Sequence, residues 1–170
     1  MFGVVLHTLY FFIPAYVANT FACILGGGRA LDFGRNFIDG RRILGDGVTI
    51  RGSVTGILCG TVAGLTLGHF EGVLDMSEFG GNPALVLLLS SGAIVGDAAG
   101  SFLKRRLGIE KGAPAPVLDQ LNFVVGALVF ARFVREISLS EVTILFVLTP
   151  IGHLIVNKTG YLLKMKDVPW

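Results

Sequence analysis

Apolar and polar positions fall in long blocks along this chain, without the short alternation of a half-buried sheet. The blocks predict five helices, at about 1–25, 53–70, 83–103, 118–133 and 142–163. A bilayer span needs about 20 apolar residues, so the pattern reads as an all-α, polytopic membrane helix bundle forming one domain over 1–170. The first run lacks a basic start and a small-residue cleavage site, which makes it a retained helix rather than a signal peptide. Pro14 is expected to kink it, and Asn19, five residues on, is placed to turn an amide toward a polar cavity. The fourth run is short for a hydrocarbon core of about 30 Å and needs support from its neighbours.

Composition agrees with this pattern: 52% of residues are hydrophobic, 15% are charged and 24 are glycine, a membrane profile rather than that of a soluble domain. Gly56, Gly60, Gly64 and Gly68 recur every fourth residue in the second run, giving a flat strip for close helix packing. Cys23 and Cys59 lie in apolar runs without metal-binding or disulfide spacing. The net charge of +2 becomes informative once placed along the chain. Loop 26–52 carries Arg29, Arg35, Arg41, Arg42 and Arg51, loop 104–117 carries Lys104, Arg105, Arg106 and Lys111, and the C-terminal end carries Lys158, Lys164 and Lys166. The opposite side has Arg132 and Arg135 beside Glu136 and Glu141, and an acidic loop with His69, Glu71, Asp75 and Glu78. By the positive-inside rule the N-terminus is outside, and both long loops and the C-terminus are cytoplasmic. Tyr161 and Trp170 suit an interfacial anchor, and His69 reads as an interfacial group rather than a metal ligand.

The candidate chemistry collects on that basic side. Glycines in loop 26–52 permit close backbone approach, and arginine forks match phosphate oxygens. The loop reads either as an anion-binding segment or as a loop whose arginines set topology and meet anionic lipid heads. On the third helix Asp97, Ser101, Lys104 and Arg105 fall at i, i+4, i+7 and i+8, a polar stripe from the membrane interior to the surface. Gly92, Gly96, Ala98, Ala99 and Gly100 around it let a ligand or another backbone come near. A carboxylate inside a span is a functional hypothesis, with a structural pair to Lys104 or Arg105 as its alternative. Asp119 follows Pro114 and Pro116, as a second site carboxylate or as an N-terminal cap. Two carboxylates with a lysine and several arginines suit phosphoryl or nucleotidyl transfer on Mg²⁺, a hard ion that takes one or two carboxylates plus substrate phosphates. The chain contains no GxSxG, Walker loop or HExxH.

The run GDAAGSFLKRRLGIEKGAPAPVLDQLN resembles the signature region of the CDP-diglyceride synthase superfamily. With PAYVAN, RRILGDGVTIRG and the terminal KDVPW, nearly the whole chain resembles the archaeal branch, the CDP-archaeol synthases. Relatives commonly carry a lysine where this chain has Val48, which removes one cationic contact in the first loop. The resemblance implies an enzyme that joins CTP to 2,3-di-O-geranylgeranylglyceryl phosphate, releases pyrophosphate and works on the cytoplasmic face of the membrane. By the same resemblance, Asp97 and Asp119 hold Mg²⁺, and Asp97, Lys104 and Asp119 are the catalytic set. Arg105 and Ser101 meet substrate from the third helix, and Asn19, Arg41, Arg42, Asp46, Thr49 and Arg51 build the facing wall around nucleotide and lipid phosphate. The lipid chains are expected to enter sideways from the bilayer, nucleic acid is not an expected partner, and pairing of two copies through glycine faces stays open. Two rival classes remain at this point. A CDP-alcohol phosphotransferase is faintly echoed by Asp39, Gly40 and Arg41, and a small transporter or channel subunit would explain the glycine-rich helices and Asp97.

Overall fold

A computed structural model of the chain describes residues 2–74, 77–109, 113 and 115–162. Asp75, Lys111, Pro114, Lys164, Lys166 and Trp170, all used in reading the sequence, lie outside the described residues. The architecture is all-helical, with α1 Phe2–Ile24, α2 Ile50–Leu74, α3 Pro83–Arg106, α4 Leu118–Ala131 and α5 Leu139–Leu162. By length and composition α1, α3 and the stretch Ile50–Val73 of α2 can cross a membrane, whereas α4 and the stretch Leu139–Ile155 of α5 are shorter apolar helices.

Local chemistry sets the ends of these helices. α1 stops ahead of three glycines, two of which take positive φ (97° at Gly27, 78° at Gly28), a region that residues with a Cβ avoid. α2 begins three residues earlier than the apolar pattern predicts, because the Thr49 hydroxyl accepts the Gly52 N–H at 3.1 Å and caps it. α3 starts as expected, with Pro83 in its first turn and the Asn82 side chain accepting the Leu85 N–H at 3.2 Å. It then runs on through Lys104, Arg105 and Arg106, where the sequence reading ended it at 103. α5 also starts earlier than expected, because Ser138 and Glu141 form a reciprocal capping box: the Ser138 hydroxyl accepts the Glu141 N–H at 3.2 Å, and Glu141 accepts the Ser138 N–H at 2.8 Å.

The helices pack mainly as α1 against α2 and α3 against α4, with α3 also touching α1 and α2. At the centre, Phe12 lies edge-on to Tyr16 with ring centroids 5.1 Å apart, and Tyr16 edge-on to Phe123 at 5.9 Å. The expected small-residue strip is used here. A Cβ at Gly56 would lie 2.6 Å from the Ala18 carbonyl oxygen, and one at Gly60 would lie 2.6 Å from the Ser90 hydroxyl, so α1 and α3 approach α2 where it has no side chain. Val54, Leu58, Val62 and Leu65, on the rest of α2, are exposed, as suits a helix whose other face meets lipid. Gly92 and Gly96 on α3 likewise pack against the α4 backbone around Gly126 and Asn122. The glycines at Gly56, Gly60, Gly92 and Gly96 are therefore filled from within the bundle.

The end of the bundle away from the long loops is tied by ions. Arg135 binds Glu78 at 3.0 Å and Glu141 at 2.6 Å while lying over the Phe11 ring, and His7 meets Glu78 at 2.8 Å. The Glu71 carboxylate accepts the backbone N–H groups of Glu78, Phe79 and Gly80, closing the α2–α3 turn. His69 is exposed beside Phe70, and no cluster of three metal-binding side chains occurs among the described residues.

Candidate active site

The first loop is ordered by one buried carboxylate. Asp32 accepts the Arg42 fork through Nη2 at 2.7 Å and Nε at 3.2 Å, and it also accepts the N–H groups of Gly34, Leu44 and Gly45. Burial pushes the Asp32 carboxyl up, but the Arg42 guanidinium and the three backbone donors outweigh this and hold it well below the usual carboxylate range. The loop is otherwise turns and two isolated bridges, Ala30 with Thr49 and Asn36 with Arg42, in keeping with its glycine content.

The same loop is clasped to the end of α3. Arg41 donates through Nη1 to the carbonyls of Arg105 at 3.1 Å and Arg106 at 2.8 Å, where a helix C-terminus leaves carbonyls unpaired. Arg106 donates back through Nη2 to the carbonyls of Arg41 at 3.3 Å and Arg42 at 2.5 Å. Its guanidinium also lies over the rings of Phe37 and Phe102, and its Nη1 stands 3.1 Å from Asp39. Between these parts lies a cleft of about 340 Å³ lined by Arg41, Arg42, Arg105, Gly108 and Ile109. Arg105 Nε is buried there without a hydrogen-bond partner among the described residues.

Below the clasp, the seam between α3 and α4 holds the acidic groups. Lys104 Nζ is 2.6 Å from Asp119 Oδ1, and Asp119 Oδ2 accepts the Ala115 N–H at 2.9 Å. Asp97 is half-buried, and its Oδ1 accepts the Asn122 amide at 3.1 Å. Two alternatives left open by the sequence close here. The hydrogen-bond partner of Asp97 is Asn122, whereas Lys104 turns to Asp119. Asp119 does not cap α4, because the cap position is Val117, at φ 70° and without a side-chain cap bond.

The fold therefore gathers Asp97, Lys104 and Asp119 on one seam, and Arg41, Arg42 and Arg105 around one cleft, with Asp46 bound to Arg42 Nη1 at 2.8 Å. Thr49 caps α2 and accepts the Gly27 N–H, and Arg51 donates to the carbonyls of Leu25 and Gly26, just past the end of α1. Asn19 and Ser101 are half-buried and make no side-chain hydrogen bond among the described residues. Val48 is buried, so its side chain anchors the loop. Sequence reasoning passed over Asp32, Arg106 and Asn122 as site-building residues. The spacing of Asn122, three residues after Asp119 and so on the same helix face, was the one available signal.

Two carboxylates on one interhelical seam, beneath an arginine-lined cleft, give this all-helical membrane protein the make-up of an intramembrane enzyme. The model of the CarS-like family, CDP-archaeol synthase, matches residues 1–170. The CDP-archaeol synthase of Methanocaldococcus jannaschii is 50% identical, covering 96% of both chains. That of Methanopyrus kandleri is 51% identical, over 95% of this chain and 91% of its own. A solved structure of an intramembrane enzyme for archaeal membrane lipids biosynthesis is 36% identical and superposes with a TM-score of 0.80 over 90% of this chain and 94% of that one. The chain belongs to the CDP-archaeol synthase family. It is thus an integral-membrane lipid cytidylyltransferase, and the phosphotransferase and transporter readings fall away.

Proposed function

We propose that the protein transfers CMP from CTP to the phosphate of an isoprenoid diether lipid, 2,3-di-O-geranylgeranylglyceryl phosphate, with Mg²⁺ as cofactor. The observation that carries the residue assignment is the α3–α4 seam, where Asp97 and Asp119 stand on facing helices with Lys104 bound across to Asp119. The donor set fits Mg²⁺. It offers carboxylate oxygens without histidine or thiolate, and too few of them for a closed cage, which suits an ion that completes its shell with water and substrate phosphates. Asp97 and Asp119 would hold the ion, whose contribution when bound is to neutralise phosphate charge.

In the reaction a lipid phosphate oxygen attacks the α-phosphorus of CTP, and the bond to the bridging oxygen of pyrophosphate breaks. The attacking group is already an oxyanion, so no strong base is needed, and positioning with charge neutralisation supplies most of the acceleration. Lys104 and Arg105 would meet the phosphates from α3. Arg41 and Arg42, lining the cleft with Arg105, would receive the triphosphate from the loop side, with Asp46 holding Arg42 in place. Asn19 and Ser101, without side-chain hydrogen bonds among the described residues, are assigned to substrate. Thr49, at the start of α2, and Arg51, held by the Leu25 carbonyl, would complete the wall around nucleotide and lipid phosphate. The placement of basic residues supports a cytoplasmic site with the N-terminus outside.

The test is pyrophosphate release by the purified protein in detergent with Mg²⁺ and CTP, with and without the phosphorylated diether lipid. Release that requires both substrates is expected. Release without lipid, or none with active lipid and folded protein, would overturn the reading.

A further inference from the structure

We infer that Asn122 is a positioning residue that holds one oxygen of Asp97 and leaves the other presented to the cation, an inference that rests on the proposed Mg²⁺ site. The amide can be oriented from its surroundings. The Phe123 backbone N–H lies 2.6 Å from Asn122 Oδ1, and an N–H can meet only the oxygen end, so Nδ2 must face Asp97. Nδ2 then donates to Asp97 Oδ1 at 3.1 Å, while Asp97 Oδ2 has no hydrogen-bond partner among the described residues. A carboxylate turns within a broad χ2 well, and a donor on one oxygen narrows that rotation and so fixes the direction of the other oxygen.

Packing around the amide supports the same role. A Cβ at Gly100 would lie 2.7 Å from Asn122 Cβ and 2.9 Å from its Cγ, so α3 carries no side chain where the amide must fit. Gly96, one turn earlier on α3, meets the Asn122 backbone carbonyl. Asp97 sits between these two glycines in the sequence. The contact between Asn122 and Asp97 thus falls where α3 and α4 approach closely. Groups that orient a metal-binding carboxylate typically change metal affinity 10–100-fold when removed. A plain interhelical hydrogen bond would change stability and leave the affinity of folded protein for the ion unchanged.

The experiment is Mn²⁺ binding, read by electron paramagnetic resonance on the full-length protein in detergent without CTP or lipid. It compares wild type, Asp97→Asn, Asn122→Ala and the shape-conserving Asn122→Leu, with thermal unfolding in the absence of metal as the check on folding. Wild type is expected to bind and Asp97→Asn to lose binding. Both Asn122 variants are expected to bind about tenfold or more weakly. Activity of the Asn122 variants should recover toward wild type as Mg²⁺ is raised. Wild-type binding with unchanged affinity in whichever Asn122 variant folds would overturn this inference alone. No Mn²⁺ binding by wild type would overturn the metal site, and the inference with it.

Discussion

Lys104 Nζ lies 2.6 Å from Asp119 Oδ1, joining the last turn of α3 to the first turn of α4. The two groups are partly exposed, at 18% and 32%, so the pair is reachable from the loop side. An ion pair of this kind can exchange partners when a polyanion arrives, the lysine moving to phosphate and the carboxylate to the cation. Lys104→Met is therefore expected to lower kcat roughly 100-fold, the scale of losing one charge-stabilising donor. Bundle stability should fall by only about 1–3 kcal/mol, because the pair is part-buried and Asp119 keeps the Ala115 N–H when the lysine is lost. Pyrophosphate release and thermal unfolding in detergent measure the two effects separately.

Asp97→Asn should abolish turnover while leaving the folded bundle in detergent. The side chain is half-buried, and its replacement keeps shape while removing the charge. Turnover of folded Asp97→Asn near the wild-type rate would remove Asp97 from the site.

Asp32 predicts a local pH response. Its carboxyl is held below the ordinary value of about 3.9, so its contribution is fully present above about pH 4 and is lost as pH falls through the lower folded value. Protease protection of loop 26–49 should be flat from pH 7 to about pH 5 and fall only below about pH 4. Asp32→Ala, which strips the acceptor from Arg42 and three backbone N–H groups, should expose the loop at every pH.

Arg106 reaches two carbonyls and two aromatic faces, a combination that the compact lysine ammonium cannot copy. Arg106→Lys should loosen the clasp between the first loop and α3 and raise KM for CTP roughly tenfold, equivalent to ~1.4 kcal/mol. Steady-state kinetics with varied CTP would read this, and an unchanged KM would count against the clasp.

Gly60→Ala places a methyl 2.6 Å from the Ser90 hydroxyl and 2.9 Å from the Ala18 Cβ. The interface of α2 with α1 and α3 must then open, at a cost of about 1–3 kcal/mol. The melting temperature in detergent should fall accordingly. Gly72→Ala, with open space around the added carbon, serves as the control.

How much the sequence determined follows from how local each cause is. The five helices were legible because bilayer length and apolar runs are local properties, as were the glycine strip on α2 and the polar stripe on α3. Helix ends were read less well where a single polar side chain overrode the apolar pattern, as Thr49 and the Ser138–Glu141 box do. The linear chain could nominate Asp97, Lys104, Asp119, Arg41 and Arg42, because ionisable groups beside membrane segments demand a reason. It could not say who pairs with whom. Lys104 has Asp97 seven residues away on its own helix, yet it binds Asp119 because α4 packs against α3 at that height. Asp32 looked like one of several loop acids until the chain folded three N–H groups and Arg42 around it. Partner choice depends on distances across the bundle, which hydrophobic periodicity does not encode, so only the tertiary structure decided it.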